Sequence, residues 1–265
     1  MRVSEIWIYP VKSLGGIRLK EAKTEKKGLQ YDRRWLIIDE NNTFITQRVF
    51  HQMALIDVAL EKDGLKIFER NNPESNITVP YEPVSGETLS VKVWDDVVEA
   101  VTVMDEADVW LSSQLGQNVR LVMMPESTER KADPKYAQNG EIVSFADGYP
   151  FLVISQASLD DLNTRLDEPI SMIRFRPNFV ITETLPFEED QWKRIRIGDL
   201  DFEIVKPCAR CVLTTVDPAT GQKGAEPLKT LASYRRINNK VLFGQNLVAS
   251  NFGIIREGDA LEVVE

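Results

Sequence analysis

The two cysteines of the chain, Cys208 and Cys211, stand in the run Lys206-Pro-Cys-Ala-Arg-Cys211-Val-Leu-Thr-Thr-Val-Asp217-Pro-Ala-Thr-Gly221. Thiols at this spacing suit four kinds of chemistry. A structural zinc site usually needs four Cys or His ligands, and the whole chain supplies two cysteines and one histidine. A thioredoxin-like redox pair opens a helix after a strand, whereas Val212-Leu-Thr-Thr-Val216 has the β-branched composition of a strand. Two inert, buried cysteines are the third reading. The fourth is a single thiolate that ligates a soft or high-valent metal carried by an external cofactor, with Lys206 and Arg210 placing positive charge beside it. The residues alone leave these readings open.

Other chemistry is narrower. His51 is the only histidine, so Ser-His-Asp and Cys-His machinery is not expected, and its Gln-Arg-Val-Phe-His-Gln setting reads as a loop or strand end. Gly15-Gly16 lacks the spacing of a nucleotide fingerprint, and no G-x-G-x-x-G or Walker pattern occurs, so no nicotinamide or ATP site is expected. Two basic groups, Asp32-Arg33-Arg34 and Arg174-Phe-Arg176, stand out in a chain of net charge −9. Taken alone, their arginines also admit a plainer reading as salt-bridge partners at a surface or domain boundary. The acidic run Phe187-Glu-Glu-Asp190 reads as solvated surface, or as a dock for a basic redox partner.

The elements that must position these residues are mostly strands. Short β-branched or aromatic runs separated by turn signals predict strands at Val3 to Tyr9, Trp35 to Ile38, Leu65 to Phe68, Leu89 to Trp94 and Val97 to Val103. Asp105 is expected to cap a helix with Ala107, Trp110, Leu111 and Leu115 on one face, ending at Gly116. Further on, Val119 to Met124 reads as a strand and Pro125 to Gly140 as a long surface loop. Phe151 to Ile154 reads as a buried strand, and Ser155 or Ser158 caps a helix carrying Leu159, Leu162 and Leu166. Gly198-Asp199 joins Arg194 to Ile197 and Leu200 to Val205 as a hairpin. A helix over Pro227 to Arg236 and closing strands at Leu247 to Ala249 and Leu261 to Val264 complete the pattern. The class is mainly β with a few helices (α+β), and the domain boundary falls near Gly116, dividing residues 1–116 from 117–265.

A chain of 265 residues, 43% apolar and 28% charged, has the length for one or two domains with real cores. No stretch approaches a membrane span, the N-terminus lacks the marks of a signal or transit peptide, and two cysteines make no secreted disulfide framework. The expected compartment is the cytoplasm. The negative charge disfavours binding to nucleic acid.

Lys206 to Gly221 resembles the signature of the MOSC domain, named for the C-terminal domain of molybdenum cofactor sulfurase. The resemblance extends along nearly the whole chain. Tyr9-Pro-Val-Lys-Ser13 and Asp32-Arg33 resemble the family's N-terminal β-barrel domain. Phe145-Ala-Asp-Gly-Tyr-Pro150, Ser155-Gln-Ala-Ser158, Phe175-Arg-Pro-Asn178, Glu226-Pro-Leu-Lys-Thr-Leu231 and Phe243-Gly-Gln-Asn246 resemble its C-terminal domain. Within the family the chain is similar to the amidoxime-reducing branch and its bacterial counterparts of the YcbX type.

The resemblance implies a MOSC N-terminal β-barrel domain followed by a MOSC β-barrel domain, and a molybdenum cofactor whose metal is ligated by Cys211, with Cys208 in support. It implies cofactor anchoring at Lys12, Ser13, Arg33, Arg176, Asn178 and Arg210, because the phosphate of molybdopterin takes charge-assisted hydrogen bonds. Gly148, Tyr149 and Ala209 join that set by their motifs, and Asn178, Gln245 and Asn246 supply neutral donors and acceptors for the pterin. Ala209 stands where relatives often have Ser. YcbX-type relatives often continue into a ferredoxin domain, whereas this sequence stops at Glu265. Electrons are therefore expected from a separate protein of flavin-reductase or ferredoxin type. The implied activity is reduction of N-hydroxylated small molecules to amines, with Asp147 as proton donor. The alternative is a carrier that stores the cofactor or delivers sulfur.

Overall fold

Burial follows the strand period of two along much of the chain: in Arg194–Ile197 the isoleucines are buried and the arginines exposed. The computed structural model describes residues 1–83 and 86–265. Strands hold 42% of the chain and helices 16%, so the class is mainly β, as the patterning predicts.

The largest sheet has nine strands. Its order is Ile17–Leu19, Arg2–Ile8, Phe179–Thr182, Phe151–Ser155, Lys240–Ala249, Leu200–Arg210, Arg194–Ile197 and Leu261–Val263, with Arg236–Ile237 added against Lys240–Ala249. Neighbours are antiparallel except Phe151–Ser155 and Phe179–Thr182. The bridge Arg2–Ala260 and the bond from Leu261 N–H to Met1 O (2.9 Å) bring the last strand back to the first, so the sheet curls on itself. Inside it Phe151, Phe179 and Phe202 meet with ring centroids 5.4–5.9 Å apart, surrounded by Val3, Ile6, Ile181, Ile195 and Leu247.

A four-stranded sheet, Trp35–Ile38, Arg120–Met123, Asp96–Thr102 and Thr88–Val93, and a three-stranded one, Ile56–Glu61, Gly64–Glu69 and Asn72–Val79, form most of the N-terminal half. Helix α1 (Asp105–Leu115) buries Ala107, Leu111 and Leu115 against them and ends at Gly116 in the left-handed region, φ 69°. Asp105 is the first helical residue rather than the cap: Met104 precedes the helix and offers no side-chain oxygen. Helix α2 (Gln156–Asn163) is capped by Ser155 Oγ, which accepts from Ser158 N–H. Helix α3 (Leu228–Tyr234) follows Pro227.

Three sequence-based expectations are corrected. Residues 125–140 are not simply a surface loop, because Arg130–Lys131 pairs with Ile142–Val143 and Arg130 is buried. Arg130 donates to the carbonyls of Ser144 (3.0 Å) and Ala146 (2.5 Å), so the segment braces the loop that carries Asp147. Val212–Thr215 is a 3₁₀ turn, not a strand. The hydroxyls of Thr214 and Thr215 turn back onto the carbonyls of Cys211 and Val212, offering the backbone an alternative to a ladder. In the acidic run, Glu189 is fully buried beneath Ser155 and Ser158.

Candidate cofactor site

The segment after the first strand and the loops of the C-terminal half meet in a cleft open to solvent. Lys12, Ser13, Arg33, Thr46 and Arg48 line it from the N-terminal half. Asp147, Gly148, Tyr149, Arg176, Asn178, Cys208, Ala209, Arg210, Cys211 and Asn246 line it from the other. Of the residues singled out in the sequence, Gln245 and Lys206 are not among its lining: Lys206, expected to charge the thiol, lies over the Tyr136 ring, 4.3 Å from its centroid. Gln245 and Asn246 are neighbours on one strand, so their side chains leave on opposite faces. Gln245 is spent on Asp190 (2.6 Å).

The N-terminal wall hangs on Asp32, which is 1% exposed. Its carboxylate accepts from Tyr9 N–H (2.7 Å), Arg33 Nη1 (2.6 Å) and Asn178 Nδ2 (3.1 Å), and so ties both halves together. Ser13, Arg33 and Arg176 adopt left-handed backbone, φ 71°, 51° and 54°, a cost accepted at functional sites when the surroundings hold the residue. The guanidinium groups of Arg33 and Arg176 lie 4.3 and 4.1 Å from the Tyr9 ring centroid. Arg33 also donates to Arg176 O (3.0 Å), and Arg176 Nη1 to Leu14 O (2.7 Å). Burial, aided by neighbouring Arg33, lowers Arg176 to about 10.

Lys12 is buried and donates to Phe145 O and Asp147 Oδ1, both at 2.6 Å. Burial lowers its pKa to about 8 against the opposing pull of Asp147. Asp147 faces the open side, with 62% of its side chain exposed. Partial desolvation would raise its pKa, but the charges of Lys12 and Arg48 and the Lys12 hydrogen bond outweigh it, holding the carboxyl well below the usual range. Asp147 is thus placed as an acceptor between two cations, a setting unlike the proton-donor role expected for it.

Asn178 reaches the cleft with its amide hydrogens already given to Trp7 O and Asp32 and its oxygen accepting from Leu152 N–H, so it frames the site more than it offers donors. Asn246 donates to Lys206 O (3.0 Å). Tyr149 is raised to about 12 by burial, then by Asp133 and Tyr136, and stays a neutral phenol. Arg210 donates to Cys208 Sγ (2.8 Å) and to Phe175 O. Cys211 ends the long strand Leu200–Arg210 where the 3₁₀ turn begins, and its sulfur accepts from Arg48 Nε at 3.2 Å. Arg48 and Thr46 are cleft residues that lie outside every motif, and Thr214 lines the cleft from within the Lys206–Gly221 run.

Two observations bear on what the cleft can hold. Arg176 Nη2 and Arg210 Nε are buried donors without a partner, and such donors are rare unless a ligand or water completes them. Five cations against one carboxylate, Asp147, line the cleft of a chain with net charge −9. Both suit an anionic group rich in acceptors, as a pterin with a terminal phosphate is. Among the described residues no group of three or more His, Cys, Asp or Glu is gathered to hold a metal. A metal at Cys211 would bring its other ligands with it, as molybdenum held by pterin sulfurs does.

Comparison with known proteins agrees. The profile of the MOSC N-terminal beta barrel domain matches residues 1–118, and that of the MOSC domain matches residues 140–262. Mitochondrial amidoxime-reducing component 1 of Mus musculus is 36% identical over 97% of this chain and 80% of its own length. The Homo sapiens component 1 is 34% identical over 97% and 81%, and the Rattus norvegicus component 2 is 36% identical over 97% and 81%. Among the described residues no helix is long and apolar enough to cross a membrane. With both domains matched in order and a third of its residues shared with these relatives over nearly its full span, the chain belongs to the MOSC family, in company with the amidoxime-reducing components.

Proposed function

We propose that the chain is a molybdenum-cofactor-dependent reductase of N-hydroxylated compounds such as amidoximes and hydroxylamines, with a separate protein supplying electrons. The observation that carries this is the Cys211 thiol in a cationic cleft with two unpartnered guanidinium donors, in a chain a third identical to proteins named for amidoxime reduction.

Cys211 holds the metal, and Lys12, Ser13, Arg33, Arg176 and Arg210 hold the phosphate and pterin. When bound, the cofactor supplies two-electron redox chemistry at the N–O bond. The overall change is R–NHOH plus two electrons and two protons to R–NH₂ and water. Lys12, with its pKa near 8, is the proton store: its ammonium is held by Asp147 at the open side of the cleft, where solvent can refill it. Asp147 orients that ammonium and accepts hydrogen bonds from the substrate's N–H groups. Tyr149 and Phe175 give the cleft its apolar surface.

The test is molybdenum and pterin content of protein from a cofactor-competent host, beside Cys211→Ala and Cys208→Ala, followed by benzamidoxime turnover with an artificial electron donor. About one metal per chain, lost in the Cys211 variant and kept in the other, together with turnover, is expected. A loaded protein inert toward every N-hydroxy compound would favour a cofactor carrier, and no metal in any preparation would refute the proposal.

A further inference from the structure

Arg48 comes from the loop after Trp35–Ile38, in sequence 163 residues from the sulfur it touches. Thr46 starts the turn that aims it: Thr46 O accepts from Val49 and Phe50 N–H, and Thr46 Oγ1 from Arg48 N–H. Gln47 locks the same turn to Ser13 O at 2.6 Å. Val49 is thereby left 72% exposed while the Arg48 side chain is only 19% exposed. Three features of one guanidinium are engaged. Nε donates to Cys211 Sγ and Nη2 to Asp147 Oδ2, each at 3.2 Å, and Cζ lies over the Trp94 ring, 4.1 Å from its centroid. A planar fork fixed at two atoms and one face has little freedom left, which an ammonium on a flexible stem could not reproduce.

The platform beneath it is unusual. Trp94 and Asp95 form the two-residue turn between Thr88–Val93 and Asp96–Thr102, and Trp94 has φ 58°. Hairpins normally give that position to glycine or asparagine. A tryptophan persists in this strained conformation only where something holds it. Phe44 packs edge-on against its indole, with centroids 4.7 Å apart.

Resting on the function proposed above, we infer that Arg48 is a positioning residue for Cys211: it crosses the cleft from the N-terminal half and fixes the ligand sulfur against Asp147 before any cofactor arrives. Trp94 serves it as a platform, which accounts for the strained turn.

The test has one readout without metal and one with it. In metal-free protein carrying ¹³C-labelled cysteine, Cys211 Cβ should give one sharp NMR signal. The signal should shift and broaden in Arg48→Met, in Arg48→Lys and in Trp94→Leu, while the Cys208 signal moves less. In loaded protein the half-life of bound metal during repeated desalting should fall about tenfold or more in Arg48→Met, as loss of a supporting contact to a metal ligand does. Arg48→Lys should rescue little of it. Far-UV circular dichroism shows whether each variant is folded. An unchanged Cys211 signal in Arg48→Met overturns the inference, as does unchanged metal retention when the signal does change. If the unmodified protein takes up no molybdenum, the proposed function falls, and the NMR readout alone still decides whether Arg48 holds the sulfur.

Discussion

Removing the Asp32 carboxylate should destabilise the metal-free protein by at least about 5 kcal/mol. Asp32 accepts from Tyr9 N–H, Arg33 and Asn178 while 1% exposed. In Asp32→Ala, Arg33, whose side chain is 12% exposed, loses its counter-charge close to Arg176. Breaking a buried pair in this way costs about 3–5 kcal/mol. Tyr9 N–H and Asn178 Nδ2 lose an acceptor as well, at about 1 kcal/mol each even if water enters the vacated space. Asp32→Asn keeps an acceptor for Tyr9 N–H and restores part of this, leaving a loss of roughly 3 kcal/mol. Urea unfolding followed by tryptophan fluorescence, without cofactor so that ligand binding adds nothing, gives the differences directly. At about 2–4 °C per kcal/mol the alanine variant should also melt roughly 10–20 °C lower. A double-mutant cycle with Arg33→Met should return a coupling of at least about 1.5 kcal/mol. An Asp32→Ala loss below about 1.5 kcal/mol, or a cycle that closes to zero, would refute the view that this carboxylate ties the two halves together.

Two further outcomes follow from buried titrating groups. Burial lowers Lys12 from 10.5 to about 8, so the folded chain binds fewer protons than the unfolded chain between those values. Stability should therefore rise with pH across that window relative to Lys12→Met, by up to ~3 kcal/mol, and urea midpoints for the two proteins at pH 7.5 and 10 check it. Burial raises Glu189 above 4.5, so the native protein should lose stability relative to Glu189→Gln as pH rises above that value. At pH 7 the glutamine should cost under about 1.5 kcal/mol, whereas Glu189→Ala should cost about 2–3 because Ser158 Oγ and Ser155 N–H lose their acceptor; thermal melts of both variants distinguish them.

Period-two runs such as Arg194–Ile197 and the Gly198-Asp199 turn were readable because strands and hairpins write their own local pattern. That Cys211 shares a cleft with Lys12, Arg33, Arg176 and Arg210 was readable through the motifs that carry them. Arg48 was not, since Thr46-Gln-Arg-Val carries no local mark and its partners lie 99 and 163 residues away. Glu189 misled for the same reason: two serines 31 and 34 residues earlier bury a carboxylate that its acidic neighbours make look solvated. The error at Gln245 was avoidable, because the strand over Phe243-Gly-Gln-Asn246 allows only one of two adjacent side chains onto the cleft face. The pairing of Arg2–Ile8 with Phe179–Thr182 is invisible to any local rule.

That pairing sets a timetable for synthesis. At about 5–20 residues per second the ribosome needs on the order of 10–40 s to travel from the first strand to its partner. Through that interval Ile17–Leu19 can pair with one edge of Arg2–Ile8, but the other edge stays open and Val3, Ile6 and Ile8, each fully buried in the finished sheet, lack most of the side chains that cover them. The bridge from Arg2 to Ala260 comes later still. A nascent chain of this kind holds out an apolar strand with a free edge for most of its birth, which is the situation in which strands pair with the wrong chain. Yield in an expression host should thus depend on what shelters Arg2–Ile8 during translation, such as a chaperone at the tunnel exit, as well as on the stability of the folded product.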